Sequence, residues 1–302
     1  MQVATLGMLM SVGAAVAWAV TPALIRVGLR YLNDPILFTG IRFVTSLALF
    51  TPVMLLLGFP GDALRPIIAL MIIVSAVLGP GLGDVAYAYA IRELGTGLAV
   101  LISYQYILVA QLSAVALLGE RKNVTVLALT PIALFGVYLA VRDEGKRREG
   151  GLSRAGVLFG AAAAVFWGMS VDAVSYVAKY SSVDPFTIAF VRSAVLAPVL
   201  LAVGFLRVKG SSGVRENITR SGFLRGTLFG MASGVVAYFI GFSLFVAAVR
   251  DIGVLVPTLA TALTPVLTQF ISAGTIGEAL TRGRLAGSVI VGFALAAASL
   301  VP

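Results

Sequence analysis

Two carboxylates and two guanidinium groups stand inside long apolar runs of this 302-residue chain: Asp84 and Asp172, Arg42 and Arg192. If those runs lie in lipid, an ionisable side chain within one is expensive and defaults to a functional reading. The chemistry open to the two aspartates is reversible protonation. The competing readings are a helix cap, an ion pair with an arginine, or a seat near the headgroups. Arg42 and Arg192 fall about 12 Å into their runs at a rise of ~1.5 Å per residue. They could attract an anionic group, neutralise Asp84 or Asp172, or snorkel to the interface. Their matched placement in two copies of one unit, set out below, favours a structural role.

Aromatic and amide side chains surround these charges in sequence. Trp18 and Trp167 sit near the middle of their runs, away from the interface where membrane tryptophans gather. That suits a cavity wall able to contact an apolar or cationic ligand; plain helix packing is the alternative. The densest polar–aromatic cluster is Tyr87, Tyr89, Ser103, Tyr104, Gln105, Tyr106 and Gln111. Tyr104 and Gln111 are seven apart and share a helix face, whereas Gln105 points about 100° away. Tyr238, Thr261, Thr264 and Gln269 are a weaker counterpart further on. Polar groups in lipid need partners, so the cluster marks either a wet cavity or helix–helix hydrogen bonds. The substrate-contact candidates are Trp18, Tyr87, Tyr104, Gln105, Gln111, Trp167, Tyr238 and Thr261. Pro257 and Pro265 interrupt one run, and each removes a helical hydrogen bond. They are candidate hinges, with static kinks as the alternative.

Histidine and cysteine are absent. That excludes disulfides, thiolate nucleophiles, His–Cys metal sites and histidine proton relays. No Gly-x4-Gly-Lys-Ser/Thr phosphate loop occurs. No catalytic residue, metal site or cofactor is expected.

The elements that must position these groups follow from composition. Hydrophobic residues make up 59% of the chain and charged ones 12%, about half the charged share of a soluble domain. Ten runs are long enough to span a bilayer: 6–28, 35–58, 67–91, 96–118, 124–141, 154–178, 185–206, 222–249, 253–276 and 283–301. The first has no basic segment before it and is expected to be retained. None alternates as a membrane strand does, and only helices satisfy their own backbone in lipid. The fold class is therefore all-α, an integral membrane protein of ten transmembrane helices. Gly226, Gly230 and Gly234 recur every four residues, a close-packing face.

The chain repeats itself. Ala17-Trp18 meets Phe166-Trp167 at an offset of 149, while Asp34-Pro35 meets Asp184-Pro185 and Arg42 meets Arg192 at 150. Arg92-Glu93-Leu94-Gly95 then meets Arg250-Asp251-Ile252-Gly253, Gln111 meets Gln269 and Gly119-Glu120 meets Gly277-Glu278, all at 158. The two units are 1–150 and 151–302, divided at the basic connector 142–153. Five spans is an odd number, so the second unit must enter the membrane inverted. Inverted repeats are a recurring plan of secondary transporters, with the site near mid-membrane between the copies.

The doubled set, Trp in spans 1 and 6, Asp-Pro…Arg opening spans 2 and 7, and Gly-Glu closing spans 4 and 9, resembles the drug/metabolite transporter superfamily in its ten-helix EamA-like branch, over nearly the whole chain. The resemblance implies a carrier of small metabolites, often an exporter, with a central cavity lined by spans 1, 3, 4, 6, 8 and 9. The expectation is a secondary active transporter of amino acids or related compounds, working by alternating access in a prokaryotic cell membrane, with proton coupling through Asp84 or Asp172. A multidrug or lipophilic-cation exporter, a facilitative channel and, more remotely, an intramembrane enzyme are the alternatives. Expected partners are a small-molecule substrate, membrane lipid and protons, without nucleic acid, and the chain is expected to be a monomer. The net charge of +9 is read as topology signal and headgroup contact. Connectors on one side carry 15 Lys and Arg against 5 on the other. That count places both termini outside, whereas the resemblance suggests inside. Glu120 and Glu278 read as interfacial anchors.

Overall fold

The computed structural model describes residues 2–119, 123–146, 153–210, 219–276 and 282–299. Ten helical spans fill them, and no strand occurs among the described residues. They are α1 (Gln2–Leu32), α2 (Pro35–Leu57), α3 (Pro66–Leu94), α4 (Thr96–Leu117), α5 (Val124–Lys146), α6 (Arg154–Tyr180), α7 (Pro185–Gly210), α8 (Arg220–Ile252), α9 (255–276) and α10 (Arg282–Ser299). Seven are long and apolar enough to cross a membrane, and α5, α9 and α10 carry shorter apolar stretches. Leu55, Leu56, Leu117 and Val289 are each more than 70% exposed, as lipid-facing side chains must be. The protein is a multi-pass integral membrane protein. α1 extends beyond the 6–28 read from hydropathy at both ends, and α5 and α7 run on into the basic connectors. Glu120, Gly277 and Glu278 lie outside the described residues.

The sequence repeat has local physical causes. Asp34 caps α2 by accepting from Leu37 N at 2.8 Å, and Asp184 caps α7 by accepting from Phe186 N and Thr187 N at 2.8 and 3.0 Å. The proline after each aspartate fills the first helical position, where no N–H is needed. Gly95 and Gly253 stand at φ 80° and 73°, a conformation glycine adopts without a Cβ penalty. They turn α3 into α4 and α8 into α9.

Packing follows the same two-fold relation. α2 lies along its own counterpart α7, and α5 along α10. α1 packs on α8 while α6 packs on α3, so each half inserts its first helix against the third helix of the other. The glycine ladder of α8 makes its close approach possible. A Cβ at Gly226 would stand 2.5 Å from Leu32 Cγ, and one at Gly234 would stand 2.5 Å from the Arg42 carbonyl oxygen.

Two further pairs of features recur within one residue of the 158-residue offset, and hydropathy shows neither. α3 and α8 each contain a π-helical stretch, Val77–Gly83 and Val235–Phe242. α4 breaks at Tyr104–Gln105 and α9 at Thr261–Ala262. Pro257 and Pro265 stand third in the two helical pieces of α9, Leu255–Ala260 and Leu263–Ile276. In a first turn the missing N–H costs nothing. The break lies between the prolines, and the matching break in α4 has no proline.

Candidate functional site

The π stretches aim their side chains at a cavity of about 130 Å³ between the halves. By the same measure a single water needs roughly 10–15 Å³, so the space suits a small metabolite. α1 contributes Trp18, Thr21 and Pro22. α3 contributes Gly79, Pro80, Asp84 and Tyr87, and α4 contributes Tyr104 and Tyr106. From the second half come Trp167, Ser170, Val171 and Val174 of α6 with Ala237, Tyr238, Phe242 and Phe245 of α8. α2 and α7 contribute one residue each, Arg42 and Arg192. The lining corrects one implication of the family resemblance: α9 supplies no lining residue among those described, and α2 and α7 supply both cationic groups.

Asp84 is the polar centre. It follows directly on the π stretch of α3, and three donors from three helices converge on it. Arg42 Nη1 lies 3.0 Å from Oδ2, Trp167 Nε1 donates to Oδ1 at 2.7 Å, and the Tyr238 hydroxyl donates to Oδ2. Arg42 also stacks on Tyr238, with Cζ 4.7 Å from the ring centroid. Gly83 makes the Trp167 contact possible, because a Cβ there would stand 2.8 Å from Nε1. Trp18 is docked reciprocally: its Nε1 donates to the Ala237 carbonyl at 2.8 Å, and a Cβ at Gly241 would stand 2.5 Å from that nitrogen.

Arg192 lacks such a partner. Its Nη2 reaches Ser75 O and Ser170 Oγ at 3.4 and 3.5 Å, while Nη1 has no hydrogen-bond partner among the described residues. Its Cζ lies 4.1 Å from the centroid of the Phe242 ring. Thr21 Oγ1 and the Tyr87 hydroxyl, both in the lining, likewise have no partner among the described residues. The aromatic wall has two groups: Tyr87, Tyr104 and Tyr106 stand 4.8, 6.3 and 5.8 Å from Trp167, and Phe245 stands 5.3 Å from Trp18.

Of the substrate-contact and coupling candidates, four lie outside the lining. Gln111 clamps α4 to its neighbours, donating to Leu255 O at 2.9 Å and accepting from Thr130 Oγ1 at 2.6 Å. Gln105 donates to Leu101 O within its own helix at 3.3 Å. Thr261 shares a 2.6 Å hydrogen bond with the Tyr106 hydroxyl and so holds a wall residue in place. Asp172 is buried on another face of α6, and its Oδ1 has no hydrogen-bond partner among the described residues. Phe242, Phe245 and Ser170 escaped the sequence reading. Phe242 could have been found, because the 158-residue offset that joins Gln111 to Gln269 takes Asp84 to Phe242.

Contacts join the two halves at both ends of the bundle. On one face Asp62 accepts from Ser182 N at 2.7 Å and Lys179 donates to Leu118 O at 2.8 Å, while within the second half Arg250 donates to Ser181 O and Val183 O. The Ser182 N–H, helped by the Arg65 guanidinium, holds the Asp62 carboxyl below its ordinary value. On the other face Arg207 donates to Asp34 at 3.2 Å and to the Tyr89 hydroxyl at 3.1 Å.

A family model described as the EamA-like transporter family matches the chain over residues 5–142 and 154–300. A solved crystal structure is similar over 97% of this chain and 96% of its own, with a TM-score of 0.72 and 20% sequence identity. That likeness is one of fold. No curated protein matches.

Proposed function

The chain belongs to the EamA-like transporter family, a family of membrane transporters, and from that premise we propose that it is a secondary active carrier of small metabolites working by alternating access. One observation carries the reading: both halves line one central cavity, and contacts join the halves at both faces. An inverted pair of like units has two near-equivalent ways to pack, and exchange between them turns a central site from one side to the other. The π stretches of α3 and α8 and the breaks of α4 and α9 are the positions where these spans depart from α-helical bonding. Such sites are common at hinges and functional positions. Export from a prokaryotic cell, with both termini outside, is part of the same reading.

The test is counterflow in proteoliposomes of the full chain. A carrier shows saturable uptake that is stimulated by substrate loaded on the far side. Uptake linear in concentration and indifferent to that loading would establish a channel instead. Asp84 and Asp172 are the proposed coupling residues, and Asp84→Asn or Asp172→Asn is expected to abolish the response of uptake to an imposed pH gradient. If both variants keep that response, proton coupling does not pass through either carboxylate.

A further inference from the structure

The cavity holds an odd charge. Among its described lining residues the acidic and basic side chains are Arg42, Arg192 and Asp84, and Asp84 is committed to Arg42 at 3.0 Å. One positive charge is left over, on Arg192, which is 7% exposed and belongs to no ion pair among the described residues.

The surplus comes from a single break in the repeat. Arg42 and Arg192 occupy the same place in the two halves. The position facing Arg42 holds a carboxylate, Asp84, and its counterpart facing Arg192 holds the phenyl ring of Phe242. The scaffold that supplies a counter-charge in one half thus withholds it in the other. The room for the guanidinium is still kept: a Cβ at Gly79 would stand 2.8 Å from Arg192 Nη2. A buried guanidinium beside a cavity, with an unbonded Nη1, is unfavourable unless an anion or water completes it. Its free edge matches a carboxylate. The other side of the account narrows the ligand further. Asp84, the one carboxylate in the lining, already accepts from Arg42, Trp167 and Tyr238, so it is not free to receive an ammonium group. A cation or a zwitterion finds no free carboxylate, and a dianion such as hydrogen phosphate finds only one free positive charge.

We propose that Arg192 anchors the carboxylate of a small organic monoanion whose apolar body lies against the aromatic wall of Trp18 and Trp167. The inference rests on the transporter reading and names its substrate class. Both tryptophans of the chain line the cavity, so intrinsic fluorescence of the purified full chain reports occupancy.

The probes are phenylacetate and hexanoate against their primary amides, with phenylalanine, tetraphenylphosphonium and inorganic phosphate alongside. At least one acid is expected to give a saturable change, with its amide weaker by about tenfold or more, the usual worth of a charge-assisted hydrogen bond. Arg192→Gln is expected to erase the preference for acid over amide, and Arg192→Lys to keep part of it. Phe242→Asp rebuilds the first half's ion pair in the second, and is expected to erase the preference with Arg192 still present. The proposal is overturned if neither acid saturates, if acid and amide bind alike, if Arg192→Gln keeps the preference, or if phenylalanine, tetraphenylphosphonium or phosphate binds as tightly as the acids. The two readings fail separately. Acid binding with this dependence but no counterflow would defeat the transporter reading alone. Counterflow of a neutral or cationic substrate unchanged by Arg192→Gln would defeat this one alone.

Discussion

Arg42 and Arg192 are the same residue in two copies of one unit, and what faces each decides its energetics. Arg42 and Asp84 are both buried, with side chains 2% and 11% exposed. Breaking such a pair from one side leaves an uncompensated charge and costs about 3–5 kcal/mol, whereas neutralising both partners costs far less. Arg42→Gln is therefore expected to lower the thermal unfolding midpoint in detergent strongly. Adding Asp84→Asn should recover most of the loss, since asparagine can still accept from Trp167. A double variant no more stable than Arg42→Gln alone would show that Asp84 is held chiefly by its other donors. At this scale the sequence told residue types and little about partners. It singled out Asp84, Trp18, Trp167 and both arginines as rare polar or bulky groups in apolar runs. Which arginine meets Asp84 depends on the packing of α2 and α3, which no spacing within one run records.

Among the elements, the ten spans were legible because hydropathy fixes where a helix must lie in lipid. The Asp-Pro starts were legible because the cap and the first-turn proline are local. The π stretches and the breaks of α4 and α9 were not. They arise where neighbouring helices press on the backbone, and the two prolines that drew attention in α9 sit in first turns beside the break. Close approach is testable with glycine. A Cβ at Gly234 would stand 2.5 Å from the Arg42 carbonyl oxygen, backbone that cannot swing aside, whereas a Cβ at Gly292 of α10 meets nothing within 4 Å. Gly234→Ala is expected to cost about 1–3 kcal/mol through overpacking. Gly292→Ala is expected to be neutral or to stabilise by up to about 1 kcal/mol through helix propensity. Thermal denaturation of the two variants side by side checks this, and equal midpoints would mean that α8 and α2 can separate freely at that point.

For the whole molecule, alternating access requires that the contacts at one face part while those at the other hold. The chain has no cysteine, so an introduced pair reports without background. Asp62 and Ser182 join the first half to the second at one face. Oxidative or short bis-thiol cross-linking of an Asp62→Cys/Ser182→Cys double variant is expected to stop counterflow, and reductant or omission of the cross-linker to restore it. Transport that continues through the cross-link would mean that this face does not open. The same contact has a direction with acid. The Asp62 carboxyl is held below its ordinary value in the folded chain, so its contribution is present above the unfolded value, near 3.8, and is lost as pH falls through the folded one.

The mismatch of Asp84 with Phe242 also sets a parity. A two-fold dimer of a single half repeats every charge it carries, so its central pocket counts in even numbers. Two first halves would bring two Arg42 and two Asp84 and cancel, and two second halves would bring two Arg192 and stand at plus two. A lone positive charge has odd parity, which no dimer of identical halves can hold. It becomes available only where the two halves differ, as they do at Asp84 and Phe242. Difference between the halves thus opens a class of electrostatic pocket that exact two-fold symmetry forbids.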